Sequence, residues 1–177
     1  PQITFEANKS YYIDTSSVID NKGNPNGNSI QKLDFSNASG AIVYVYDNMW
    51  TKLQSISGPT AEGAVPVTVI IVNTSESVLN VNTYGRVRIL AESDLTFSGS
   101  SKKGKFMAMT NGNMILQGQA ISNAFICADG NVLVSGGSFT GQIMAKGTVT
   151  MVGLAATLDN TISQDTSFWL KEWELSS

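Results

Sequence analysis

The sequence predicts an all-β fold, a right-handed parallel β-helix (β-solenoid) with about 17–19 residues per coil. Three observations lead there: a short repeat in the second half of the chain, a side-chain period of two within each repeat, and turn residues where the repeats bend. Four stretches align: RVRILAESDLTFSG (86–99), KFMAMTNGNMILQG (105–118), AFICADGNVLVSG (124–136) and QIMAKGTVTMVG (142–153). Each is an apolar run, a polar or glycine turn, a second apolar run and a closing glycine. The closing glycines Gly99, Gly118, Gly136 and Gly153 are 19, 18 and 17 residues apart. Five residues after the first three stand Gly104, Asn123 and Gly141. A unit this short cannot hold a pair of helices but fits one turn of stacked strands.

Within the first runs, apolar residues alternate with polar ones, as on a half-buried strand. Val87, Phe106, Phe125 and Ile143 fill one inward position; Ile89, Ala108, Cys127 and Ala145 fill the next. Arg86, Arg88, Lys105 and Gln142 mark the outer side, because an unpaired charge stays in water. In the second runs Leu95, Met114, Val132 and Val149 point inward, followed by Phe97, Leu116, Val134 and Met151. A third, shorter face follows each closing glycine, with Lys102, Ile121, Phe139 and Ala156 inward. Cys127, the single cysteine, is thereby expected to be an inert core filler. Asn111–Gly112 and Asp129–Gly130 read as sharp turns with glycine at positive φ, and a turn that shortens from unit to unit accounts for the shrinking interval. The right hand follows from the rule for parallel crossovers. A left-handed helix of six-residue repeats competes, but its strict aliphatic spacing is missing.

One domain over 1–177 is expected, in three parts. Residues 1–65 read as irregular N-terminal coils: SYYIDTSS and IQKLDFSN are strand-like and DNKGNPNGNS between them is a long turn. GAIVYVYDNMWTKLQ reads as a strand pair and QSISGPTAEGAVP as an inserted loop. Residues 66–157 hold the regular coils; in the first of them Val69, Ile71, Leu79 and Val81 face in. Residues 158–177 are a cap or tail, in which Phe168, Trp169 and Trp173 cover the apolar end of the solenoid.

Composition narrows the function. Apolar residues make up 42% of the 177 and charged ones 14%, with a net charge of −3, which leaves no basic surface for nucleic acid. There is no histidine, hence no Ser-His-Asp triad and no common zinc set. A single cysteine allows no internal disulfide. The acids in the regular coils, Glu92, Asp94 and Asp129, sit at turns, where turn chemistry explains them. No catalytic residue, cofactor site or metal site is expected, and the chain is read as a non-enzyme. No stretch approaches the ~20 apolar residues of a membrane span, so membrane contact is expected only through a segment absent from this chain.

One surface stands out. The outward column Arg88, Met107, Ile126 and Met144 is largely apolar, its neighbour adds Leu90 and Met109, and Ile115 and Leu133 also point out. The plainer expectation is that the N-terminal segment or the Trp-bearing tail covers this stripe; the sharper one makes it, with Trp169 and Trp173, a candidate partner surface.

FICADGNVLVSGG and GQIMAKGTVTMVG resemble the β-helical ectodomain of PilX-like pilus-assembly proteins, relatives of type IV pilins. SYYIDTSS and GAIVYVYDN resemble upstream segments of that family, so the likeness spans most of 10–160. The apolar N-terminal helix of such proteins has no counterpart here, which fits a trimmed ectodomain; the Trp-rich tail has no match either. The resemblance implies an extracellular or cell-surface location, a part in filament assembly or adhesion, and pilus or cell-surface partners, with self-association included. It supplies no catalytic residues. Two other readings stand beside it. One is a carbohydrate-binding or carbohydrate-active β-helix using Trp50, Trp169 or Trp173 to stack a glycan. The other is a self-polymerising scaffold of bactofilin type.

Overall fold

The structure is a computed structural model that describes residues 2–13, 30–46, 53–72, 75–98, 102–118 and 120–159. Within them the chain forms strands and no helix. The first strands are β1 (Gln2–Thr4), β2 (Ser10–Ile13), β3 (Lys32–Asp34), β4 (Ile42–Val45), β5 (Ser55–Ser57) and β6 (Val67–Ile71). Next come β7 (Ser77–Leu79), β8 (Asn82–Tyr84), β9 (Val87–Ala91), β10 (Leu95–Ser98), β11 (Phe106–Thr110) and β12 (Met114–Gln117). The last are β13 (Ala120–Ala128), β14 (Val132–Ser135), β15 (Ser138–Ala145), β16 (Val149–Val152) and β17 (Ala155–Leu158).

Each strand pairs in parallel with its equivalent one coil away, so the expected parallel β-helix is what the chain forms. Three faces result. The long sheet runs β2-β4-β6-β9-β11-β13-β15. The second runs β7-β10-β12-β14-β16. The third runs β1-β3-β5-β8 and continues through bridges at Lys102 into the first half of β13, then of β15, and on to β17.

The core is a set of columns. Val43, Val69, Ile89, Ala108 and Ile126 stack in register on the long sheet, all fully buried. The second sheet stacks Leu95, Met114, Val132 and Val149, then Phe97, Leu116, Val134 and Met151, as expected. The third face carries Lys102, Ile121, Phe139 and Ala156 as expected, and extends back through Thr83, Ile56 and Leu33. Fully burying each such aliphatic or aromatic side chain is worth about 1.5–3 kcal/mol. Column packing is therefore the main source of stability.

The regular coils begin earlier than the repeat suggests. β2, β4 and β6 are already in register, as are β1, β3, β5 and β8. The inserted loop is shorter than expected, because Ser55–Ser57 is strand β5 with Ile56 buried. What remains of it, residues 58–66, folds against the corner, where Arg86 Nε donates to Ala64 O at 2.7 Å. The tract 20–29 lies outside the described residues.

The inward columns of the long sheet correct one expectation. Phe106 pairs with Ala124 and Ala108 with Ile126, so Phe125 and Cys127 point outward and Ile126 is core. Ile143 and Ala145 do face in as expected, but in the columns of Ile126 and Ala128. The reason is where the coil shortens. From the third face to the long sheet, consecutive inward residues are 4 apart at Thr83–Val87 and Lys102–Phe106, 3 at Ile121–Ala124 and 2 at Phe139–Gly141. The residues are lost at this corner, not at the Asn-Gly turn, and β13 carries a register irregularity there. A one-residue slip in a strand exchanges its two faces. The corner is built in left-handed backbone, with Gly85, Gly104, Asn123 and Gly141 all at positive φ.

Gly112 and Gly130 are not at positive φ, contrary to expectation. They are needed for space. Asn113 N donates to Asp94 Oδ1, Asn131 N to Asn113 Oδ1, and Thr148 N to Asn131 Oδ1, each at 2.8 Å. A side-chain ladder thus climbs the turns, and a Cβ on Gly112, Gly130 or Gly147 would collide with the side-chain oxygen of the coil before it. The glycines also stack by backbone, Gly130 N to Gly112 O at 2.9 Å and Gly147 N to Gly130 O at 3.0 Å.

The collision partner of a Gly130 substitution is the Asn113 side chain. Gly130→Ala is expected to cost about 1–3 kcal/mol alone, and clearly less in an Asn113→Ala background. Urea melts of the two single variants and the double variant read this; strict additivity contradicts the ladder.

Candidate functional site

The outer side of the long sheet carries the most unusual surface. Tyr12, Tyr44, Ile70, Leu90, Met109, Cys127 and Met144 stand in register along it, every one apolar or aromatic. Tyr12 and Met144, at its two ends, are 69% and 51% exposed, and the residues between are partly exposed. The Tyr12 and Tyr44 rings stack at 5.1 Å, with Tyr46 beside them. Period two forces the column: with one side of each strand committed to the core, the other side is one continuous face.

The neighbouring outward column is Thr68, Arg88, Met107, Phe125 and Gln142. It points outward yet is largely covered. Arg88 Nε donates to Thr68 Oγ1 at 2.9 Å, and Met107 and Phe125 form a small apolar cluster with Met109 outside the main core.

The outward face of the long sheet is thus composed differently from the one expected. Met144 belongs to it and is exposed; Leu90 and Met109 belong to it and are half-buried. Arg88 and Met107 point the expected way but are each only 4% exposed. Ile126 is removed from it, being fully buried in the core. Tyr12, Tyr44, Ile70 and Cys127 also belong to it and were missed; Phe125 points outward but is buried. Ile115 and Leu133 lie half-buried on the outer side of the second sheet, in register with Thr96 and Thr150. Trp50, Trp169 and Trp173 lie outside the described residues.

Cys127 is accordingly not a core filler. Its half-buried thiol is held above the usual cysteine range by burial first and by the Asp129 carboxylate second. It therefore stays a thiol at neutral pH. Asp129 itself pairs with Lys146 one coil on, at 2.5 Å on the surface. Asp94 starts the turn ladder, so turn chemistry does account for it. Among the described residues no three His, Cys, Asp or Glu side chains come together to hold a metal ion.

The last described coil exposes its core side. Val149, inward-facing in β16, is 42% exposed, and all four residues of β17 are exposed. Among the described strands, β16 and β17 pair on one side only. The expected aromatic cap, Phe168 with the two tryptophans, falls outside the described residues.

Among the described residues Lys102 is a lysine placed inside the core. Lys102 is 1% exposed, inside the third-face column between Thr83 and Ile121. Its Nζ donates to Val81 O at 2.7 Å and lies 5.3 Å from the centre of the Phe97 ring, a favourable place for a cation. Burial pulls it from the usual 10.5 down to about 8. Thr83 Oγ1, one coil away, has no hydrogen-bond partner among the described residues.

No protein-family model, curated protein or solved structure matches this chain.

The Lys102 shift corresponds to roughly 3 kcal/mol against the ammonium in the fold. Below pH 8 the lysine is protonated in both states and the fold carries the whole penalty. Between about 8 and 10.5 the unfolded chain keeps a proton that the folded chain has lost, so stability from this group rises with pH. Lys102→Met removes that dependence. Urea melts at pH 7 and pH 10 are expected to move the variant-minus-wild-type difference by about 2 kcal/mol in favour of the wild type. A constant difference contradicts a buried ammonium.

Proposed function

We propose that this chain is a non-catalytic structural domain of a pilin-like or other surface protein, acting outside the cell or on its surface in filament assembly or adhesion. The observation that carries the reading is the in-register apolar column from Tyr12 to Met144 on the outer side of the long sheet. Soluble monomers seldom expose a contiguous apolar stripe of this kind, and burying it against a partner is a direct source of binding energy.

The core suits that role. Side chains fill the coil interior, and the Asp94–Asn113–Asn131 ladder and the positive-φ corner fix the coil spacing. The long sheet therefore presents its column as a rigid strip. The one-sided pairing of β16 and β17 offers a second place where strands of a neighbour could add. The partners are other pilus or cell-surface proteins, a second copy of the chain among them. The sequence resemblance to PilX-like ectodomains supports the same reading.

Met144→Lys with Leu90→Lys places charge on the strip without entering the core. The full-length protein carrying both changes is expected to keep its melting temperature within a few degrees, by analogy with other surface substitutions. It is also expected to lose its place in surface filaments when intact cells are labelled with antibody and imaged by immunogold microscopy. Label that reaches the protein only after the cells are permeabilised contradicts the surface assignment, and filament incorporation equal to wild type contradicts the strip.

A further inference from the structure

The third face carries a groove of different chemistry. Outward from β3, β5 and β8 stand two columns, Lys32–Ser55–Asn82 and Asp34–Ser57–Tyr84. The middle strand contributes only serines, while both neighbours contribute longer side chains. A trough follows directly: Ser55 and Ser57 form its floor, Lys32 and Asp34 one wall, Asn82 and Tyr84 the other. Its volume is about 480 Å³, within the range of small-ligand sites. Gln54 and Ser36 complete the rim.

The lining narrows the ligand. The trough is lined by hydroxyls from serines and a tyrosine, two carboxamides, one ammonium and one carboxylate, Asp34, whose Oδ1 already accepts from Ser36 N and Oγ at 2.9 and 2.6 Å. The two charges balance, so neither a phosphate nor a polyanion is favoured. Leu33 is the one aliphatic residue in the lining and is 1% exposed, so the trough holds no pocket for an apolar peptide anchor. The aromatic group is Tyr84, 41% exposed at the rim, with a ring face for an apolar surface and a hydroxyl at its tip. Many small donors and acceptors, no net charge and one accessible ring match a neutral, polyhydroxylated ligand with an apolar face.

We infer that this groove binds a neutral saccharide, with one sugar ring against Tyr84 and its hydroxyls over the Ser55 and Ser57 floor. The site does not rest on the assembly reading, because the apolar strip lies on another face of the solenoid. It places recognition on tyrosine and serine within the regular coils, not on the tryptophans.

The test uses the purified chain on an array of neutral, sialylated and sulfated oligosaccharides, followed by saturation-transfer NMR with the best neutral hit. Wild type is expected to retain neutral glycans. Tyr84→Ala is expected to weaken binding roughly fivefold to tenfold, the loss of one stacked ring. Ser57→Phe fills the trough from its floor and is expected to abolish binding, with the thermal melt showing that it stays folded. The strip variant Met144→Lys/Leu90→Lys is expected to bind as wild type does, which separates this site from the assembly surface. Retention of no neutral glycan, retention of acidic glycans alone, or equal binding by wild type and both groove variants overturns the inference.

Discussion

Every coil must match the backbone of the next, and that constraint governs the rest of the molecule. In a parallel ladder each strand satisfies its neighbours' N–H and C=O groups, so a coil cannot change length where it is paired. Yet the intervals fall from 19 to 18 to 17. The difference is taken up at the corner between the third face and the long sheet, which contracts while the three faces keep their parity. Positive-φ backbone stands at this corner in every one of these coils, at Gly85 and Gly104 where it keeps its length and at Asn123 and Gly141 where it contracts. As it tightens, the corner straightens, and β13 and β15 become single strands that pass across it.

Much of this was legible in the sequence. From Leu95 onward the second sheet, and from Lys102 onward the third face, match the expected inward residues, because the interval from closing glycine to next corner is constant and the turn keeps its length. On the long sheet Val87, Ile89, Phe106 and Ala108 face in as expected, and so do Ile143 and Ala145, one column further along; the face is exchanged only at Phe125 and Cys127. Counting from the start of each run carried the lost residue into the strand. Counting back from the glycine of the turn would have placed Ala128 with Thr110, and so Ile126 inside. The signal was present as Gly112–Asn113, Gly130–Asn131 and Gly147–Thr148, a glycine beside a polar residue whose backbone N–H takes the next rung.

Other features had no local signal. Lys102 lies in the right column by sequence, but burial of a lysine depends on neighbours from other coils, here Val81 and Phe97. Strand β5 is hidden between serines, which carry little strand propensity, and only Ile56 marks it. The groove beside it exists because those serines stand between longer residues, a fact of register rather than of any one segment. The faces thus separate by chemistry: an apolar strip on one sheet, a polar trough on another, and between them the packed columns of the core.

The contracted corner is tested most directly by the direction of Cys127. Met109→Cys gives a second thiol one coil away, and nitroxide labels can be attached to both. The contraction predicts that both thiols take the label in the folded protein, and that the electron paramagnetic resonance spectrum is strongly broadened. Two outward positions one coil apart are separated by only about 5 Å at the backbone. A Cys127 that resists labelling until the protein unfolds, or sharp uncoupled lines from a doubly labelled protein, contradicts it.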